Sequence, residues 1–267
     1  MDLIPSSLKT LFPLWQQLLP SLLKNKQGLT VACSGGSDST SLLYLLLAFK
    51  KQHMPELKLA VAHVNYNLRK DSERDYLFVR ELAEKNSLSL FTHNVKKRTS
   101  PPKNLQAWAR GIRYDLFKNI ASENWILALA HTQDDLVENI IIRLCRGSSP
   151  ESLLGMSSWF APYWRPLLET NKKELSEYLQ KNNLIHCEDS TNACDKYTRN
   201  HVRINILPEL DKVFPGYKER LIRCISQGAQ ASSLLKKDLL KKPNFSGNLL
   251  GFSFPYILLK PSMPSLC

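Results

Sequence analysis

Four short apolar-rich runs, each followed by a longer amphipathic segment, constrain this chain more than any other feature. Residues 29–33 (LTVAC), 57–64 (LKLAVAHV) and 125–130 (WILALA) are too short for independent helices and lack polar alternation, which predicts buried strands; residues 88–95 (LSLFTHNV) predict another strand. Helical patterns occupy residues 38–50, 71–86 with Asp71 as N-cap, 105–124, and 134–147, which ends at Gly147. Strand and helix alternating at this spacing predict an α/β fold, a doubly wound, mostly parallel sheet with helices on both faces. From about residue 148 the alternation stops. Helices are then expected at 172–182, 199–211 and 217–242, with a polar loop at 187–199 and an apolar, Pro/Gly/Ser-punctuated tail over the last 25 residues.

Bulk properties narrow the partners. The chain has 267 residues, 43% of them hydrophobic, enough for a large core and against global disorder. Lys plus Arg number 36 against 24 for Asp plus Glu, and the resulting +12 favours a polyanionic partner, although a merely basic protein fits it equally well. The six cysteines form no CxxC pair, so neither a zinc site nor a disulfide framework is expected, and scattered thiols suggest a reducing, cytoplasmic compartment. Pro5, Pro13 and Pro20 interrupt the apolar residues near the start, so no signal peptide is expected there. No stretch has the length of a membrane span, and no membrane partner is expected.

The junction between the first strand and its helix reads SGGSDS, residues 34–39. Gly35 and Gly36 let the backbone approach a ligand, the helix start offers unpaired N–H groups and positive dipole, and Ser34, Ser37 and Ser39 add hydroxyls. These are the parts of a phosphate cradle. No lysine follows the last glycine, which excludes a Walker loop, and the dinucleotide GxGxxG spacing is absent. Asp38 would repel a phosphate unless a metal or a recognition contact bridges them. The plain alternative is a Gly/Ser turn with Asp38 capping the helix.

SGGSDS resembles the PP-loop of the N-type ATP pyrophosphatases, which cleave ATP between the α and β phosphates and adenylate a carbonyl oxygen. Four more stretches resemble one branch of that group, the lysidine synthetases. In AHVNYNLRKDSERD (62–75), His63 stands at a strand's carboxyl end, where open α/β sheets place ligands; the residues alone leave a structural histidine equally open. In QAWARGIRYDLF (106–117), Arg110 and Arg113 share a helix face suited to phosphate clamping, or to solvent. In LAHTQDDLVENIIIRLCRGSSPESLLGM (129–156), His131 precedes Asp135 and Glu138, which are expected together on one face in the first turn of a helix, where they can hold an ammonium group or simply meet the helix dipole. In residues 164–210, Arg199 and Arg203 lie four apart on a helical face.

The resemblance spans roughly residues 30–210 in the family's order and implies a reaction. ATP, with Mg2+, would adenylate O2 of the wobble cytidine in an isoleucine tRNA with a CAU anticodon; free L-lysine would then attack C2, giving lysidine, AMP and pyrophosphate. It further implies ATP contacts at residues 34–39 and His63, magnesium at Asp38, and lysine at Asp135 and Glu138. Charge neutralisation would fall to Arg113 and Arg199, with tRNA or intermediate contacts at Arg110, His131, Arg199 and Arg203. Asp134 is a weaker candidate, because the family position varies. Residues 1–215 would form the catalytic domain, with a core at about 25–150 and a helical extension at about 151–215. Residues 216–267, a basic helix with Arg220, Arg223, Lys236, Lys237, Lys241 and Lys242 and then the tail, would be a short or incomplete C-terminal region. The tail is expected to pack on the domain; the alternative is pairing with another subunit, as in a homodimer. Two other readings are a PP-loop tRNA thiolase, disfavoured by the missing CxxC pairs, and a non-catalytic RNA-binding module with a degenerate nucleotide site.

Overall fold

The computed structural model describes residues 3–68, 71–96, 104–187 and 198–240. Most of the expected basic loop at 97–104 and polar loop at 187–199, together with Lys241, Lys242 and the apolar tail, lie outside the described residues. The chain opens with α1 (Ser6–Lys9) and α2 (Leu11–Leu22) and continues through β1 (Gly28–Ala32), α3 (Ser37–His53), β2 (Leu59–Asn65), α4 (Ser72–Lys85), β3 (Ser89–Asn94), α5 (Leu105–Ser122), β4 (Trp125–Ala128) and α6 (Gln133–Cys145). Then follow α7 (Pro150–Leu153), β5 (Trp159–Phe160), β6 (Tyr163–Trp164), α8 (Lys172–Lys181), α9 (Thr198–His201), a π-helical turn (Val202–Ile206), α10 (Leu207–Val213) and α11 (Tyr217–Leu240).

The six strands form one sheet in the order β3-β2-β1-β4-β6-β5. β1 pairs in parallel with β2, Leu29 opposite Leu59, and with β4, Leu29 opposite Ile126; β5 alone runs antiparallel, against β6. The doubly wound, mostly parallel architecture expected from the alternation is what forms. Side-chain alternation onto two covered faces explains why β1, β2 and β4 are buried and mostly apolar, whereas the edge strand β3 is largely exposed. Leu29, Val31, Leu59, Val61, Ile126 and Ala128 enter one core with α2, α3, α4 and α8, while Ala62, Leu127 and Leu129 meet Phe117 and Ile120 of α5 in another.

Several local expectations need correction. β5 and β6 have two residues each, too few for any periodic signal. Pro13 and Pro20 lie within α2, in a stretch for which no element is expected. Pro13 sits in the first turn of α2, where N–H groups have no intrahelical acceptor, and Pro20 lies in its last turn. Asp71 stands just before α4 as expected, but its side chain makes no capping hydrogen bond; its carbonyl accepts from the Asp75 N–H at 3.0 Å. The helix expected at 199–211 is divided by the π turn. The stop at Gly147 is a Schellman arrangement. Ser148 N–H donates to the Arg143 carbonyl at 3.1 Å and Gly147 N–H to Leu144 at 3.0 Å, with Gly147 at φ +71°.

α2 matters for the sheet's stability. Its Trp15, 2% exposed, meets Phe49 of α3 and Trp164 of β6 edge-on at ring separations of 5.6 and 5.5 Å. Trp15→Ala should therefore lower the unfolding free energy by about 3–5 kcal/mol, read by circular dichroism in a denaturant titration. A loss under about 1 kcal/mol would mean that α2 is not part of the cooperative core.

Candidate active site at the switch point of the sheet

β1 lies between β2 and β4, so the connections leaving β1 and β4 diverge and leave a crevice at the strands' carboxyl ends. The two segments singled out as chemistry-bearing, SGGSDS after β1 and HTQDDLVE after β4, start there.

The SGGSDS loop is held by its own hydroxyls. Ser39 Oγ donates to the Gly36 carbonyl at 3.1 Å and accepts from the Ser34 N–H at 3.2 Å; the Ser34 hydroxyl lies 3.2 Å from Ser39 Oγ and accepts from the Gly36 N–H at 3.4 Å. Thr40 Oγ1 donates to the Gly35 carbonyl at 3.1 Å. Gly36 is the N-cap of α3 and no side chain caps it, which overturns the alternative in which Asp38 caps the helix. The first N–H groups of α3 thus keep their donor capacity. Gly35 has φ +90°, a conformation that suits glycine, and a Cβ there would lie 3.2 Å from Cys187 Sγ. Cys187, distant in sequence, is therefore beside the loop, and its N–H donates to the Gly35 carbonyl at 2.8 Å. Burial, with Asp75 nearby, pushes its thiol pKa up to about 12, so it stays protonated.

His63, buried at the end of β2, donates from Nδ1 to the Cys33 carbonyl at 2.9 Å, which fixes the tautomer and leaves Nε2 as acceptor. Burial holds its pKa below the usual histidine value.

The acidic pair sits at the start of α6. Asp135 closes a capping box with Thr132, accepting from the Thr132 N–H at 3.0 Å. Glu138 lies one turn further in than expected and its side chain is 0% exposed. The two carboxylates are brought together with both expected arginines. Arg199 reaches Glu138 at 2.7 Å and Asp135 at 3.1 Å; Arg203 reaches them at 2.5 and 3.3 Å. Lys172, the first residue of α8, adds a third cation. Its Nζ lies 3.2 Å from Asp38 Oδ2 and 3.8 Å from Asp135 Oδ1. The Asp38 carboxyl is raised above its ordinary range, by burial first and by Asp135, against the pull of Lys172. Burial would raise Asp135 too, but Lys172, the Thr132 N–H, Arg199 and His131 outweigh it and hold that carboxyl low. Asp134 pairs instead with Lys218 of α11 at 2.8 Å and accepts from the Lys172 N–H at 3.1 Å. A cavity of about 360 Å³ opens against Asp134, Glu138, Lys172, Arg203 and Lys218.

His131 accepts from Arg165 Nε at Nδ1, 3.3 Å away, so its proton is on Nε2. Arg113 is near enough to act electrostatically on His131, whereas Arg110 bonds the Tyr114 hydroxyl at 3.2 Å and lies 5.1 Å from that ring's centre. Lys172, Arg165 and Lys218 were not picked out from the sequence. For Lys172 a signal was present. Asn171 and Glu174 form a capping box, which puts a cation at a helix N-terminus against the dipole, where it requires a carboxylate partner. On α11, Arg220 and Arg223 are exposed.

This arrangement, a phosphate-type loop at the switch point facing a buried acid pair, defines a nucleotide-binding α/β domain. The PP-loop domain family matches residues 9–210, and the chain belongs to that family. Among curated relatives, the tRNA(Ile)-lysidine synthase of Bacteroides thetaiotaomicron is 37% identical over 200 residues, 73% of this chain and 46% of that protein. The tRNA(Ile)-lysidine synthase of Thermotoga maritima is 33% identical over 77% of this chain and 50% of that protein, and the bifunctional protein TilS/HprT of Listeria innocua 36% over 86% and 38%. The chain thus spans half or less of these relatives' lengths. Among solved structures, the U34-tRNA thiolase NcsA of Methanococcus maripaludis shares the fold, with TM-score 0.64 and 18% identity over 84% of this chain and 80% of that one. No helix of the described residues is long and apolar enough to cross a membrane.

His131 makes the site pH-sensitive. Burial, with Arg165, Arg199 and Arg113, holds its pKa down to about 4 against the pull of Asp135. Below its ordinary pKa of about 6.5, the unfolded chain binds a proton that folded His131 refuses, so stability falls as pH drops from 6.5 towards 4. Urea titrations at pH 7.5 and 5 should show a smaller acid loss for His131→Gln than for the parent chain. The difference should be at most about 2 kcal/mol, from about 1.4 kcal/mol per pH unit; equal losses would contradict a neutral, partly buried His131.

Proposed function

We propose that this chain catalyses the ATP-dependent ligation of L-lysine to C2 of the wobble cytidine in an isoleucine tRNA with a CAU anticodon. The observation that carries this reading is the meeting of SGGSDS with Asp135 and Glu138 at one crevice, a phosphate cradle next to carboxylates that already hold cations. The curated relatives named tRNA(Ile)-lysidine synthase support the same reaction, and the +12 charge suits an RNA partner.

A carbonyl oxygen is a poor leaving group, so the cytidine must be activated before an amine can displace it. Residues 34–39 would cradle the pyrophosphate half of ATP while cytidine O2 attacks the α-phosphorus. Arg113 would neutralise charge near the α-phosphate and Arg199 charge on the adenylated intermediate, a type of stabilisation that is usually a large catalytic term. Asp135 and Glu138 would then hold the incoming lysine and help its amine lose a proton before attack on C2. AMP leaves. His63 would line the ATP site, and Arg110, His131 and Arg203 the tRNA or the intermediate.

Magnesium fits this donor set. Asp38 already faces a cation at 3.2 Å, and among the described residues no cluster of three or more His, Cys, Asp or Glu side chains gathers to hold a metal by itself. A single carboxylate completed by substrate phosphates is ordinary for Mg2+, which would be held by Asp38 and supply charge neutralisation there.

The test is incubation with this tRNA, MgATP and labelled lysine. Label in the RNA should require both ATP and the wobble cytidine. Asp135→Asn keeps an acceptor for the Thr132 cap but removes the charge. It should cut lysine transfer by about 100-fold or more while tRNA-dependent pyrophosphate release persists. Pyrophosphate release without label in the parent chain would instead indicate another nucleophile, with sulfur the next to try.

A further inference from the structure

Glycine-rich phosphate loops of the Walker type carry a lysine that reaches the departing phosphates; SGGSDS carries none. The fold brings one to the same place. We propose that Lys172 is the phosphate-binding cation of this loop, supplied from the start of α8, and that it stabilises the pyrophosphate as it leaves. The proposal rests on the ATP-dependent reading above.

Three observations support it. Lys172 Nζ is 3.2 Å from Asp38 Oδ2, and Asp38 is in the first turn of the helix that SGGSDS opens. The backbone that carries the lysine is fixed. Its N–H donates to Asp134 at 3.1 Å, Asn171 and Glu174 cap the helix, and Leu175, Tyr178 and Leu179 are buried. Ser41 of α3 also donates to the Leu175 carbonyl at 3.5 Å, tying α8 to the helix that carries Asp38. Finally, the Lys172 side chain remains 30% exposed and lines the cavity, so its ammonium is open to a ligand.

Arg199 and Arg203 pair with Glu138 and Asp135, and Lys218 with Asp134 and Asp211; of these four cations, Lys172 is the one paired with Asp38 beside the loop. A lysine at the first position of a helix opposes the dipole and is held there by Asp38 and Asp135. A polyphosphate is a stronger attraction for the same ammonium. In the step itself, a lone pair of cytidine O2 forms the bond to the α-phosphorus. The bond from that phosphorus to the bridging oxygen breaks, and its electron pair stays on pyrophosphate. No proton moves; Lys172 remains an ammonium and neutralises part of the new charge. Closing the cradle with an inserted side chain, rather than one built into the loop, leaves room for Asp38 beside the phosphates.

Lys172→Met and Lys172→Arg separate the roles. Single-turnover, tRNA-dependent pyrophosphate release should fall about 100-fold in Lys172→Met and stay within about 10-fold of the parent in Lys172→Arg, with the KM for lysine little changed. Pyrophosphate release at the parent rate in Lys172→Met, or a raised lysine KM with release intact, would overturn the proposal. Thermal unfolding of both variants identifies a folding defect. Equilibrium binding of an α,β-methylene ATP analogue to Lys172→Gln gives a second readout, expected about 10-fold weaker than the parent; equal affinity overturns the proposal. A parent chain that released no pyrophosphate would instead count against the ligation reading, and analogue binding would still decide on Lys172.

Discussion

A carboxylate with no exposure, Glu138, is the constraint around which the second half of the molecule is arranged. Burying an unpaired carboxylate costs several kcal/mol, so this one requires cations. Arg199 and Arg203 come from more than 60 residues downstream, and their two Nε groups reach its two oxygens. Meeting both demands determines where α9 and the π turn lie against α6. Lys218 of α11 adds a second tie to the same helix through Asp134. Such pairs add little net stability compared with apolar packing, because desolvation offsets the attraction. Removing one partner is far more damaging. The network therefore acts chiefly as a specifier, holding the C-terminal helices in register with the sheet.

The same network explains the organisation of the crevice. Apolar cores on both faces of the sheet fix the strand ends, and those ends aim two loops at one point. The SGGSDS loop is held by hydroxyls turned onto its own backbone and by the Cys187 N–H on the Gly35 carbonyl. Its helix N-terminus stays uncapped, an arrangement that costs the apo protein some helix stability and leaves donors for an anion.

Most of the fold was legible in the sequence because its strands are short, apolar and evenly spaced, so that period and punctuation agree. The pieces that were not legible share a physical reason, dependence on contacts distant in sequence. β5 and β6 exist as strands because β4 offers them an edge. α2 forms despite its prolines because Trp15 and Phe12 have an aromatic core to enter. In the site, residue types and spacing picked out Asp38, Asp135, Glu138, Arg199 and Arg203 individually. Their mutual pairing was not readable, since nothing in an isolated RNHVR segment says that its guanidiniums meet an acid pair on another helix. Cys187 is the sharper case, because its place over Gly35 depends on how the chain after α8 returns to the loop.

Charge balance ties these strands of the structure together. Asp38, Asp135 and Glu138 face Lys172, Arg199 and Arg203, three acids against three cations in one crevice. A balanced cluster has no surplus to offer a charged ligand, so binding must proceed by exchange of partners. On the proposed reading, an arriving polyphosphate draws Lys172 away from Asp38 and Asp135. Asp135, thus released from Lys172, stands one helical turn from Glu138 on α6, where a cationic nucleophile would be received. Phosphate cradle and ammonium site would then be two halves of one electrostatic device, and the lysine between them the part that moves.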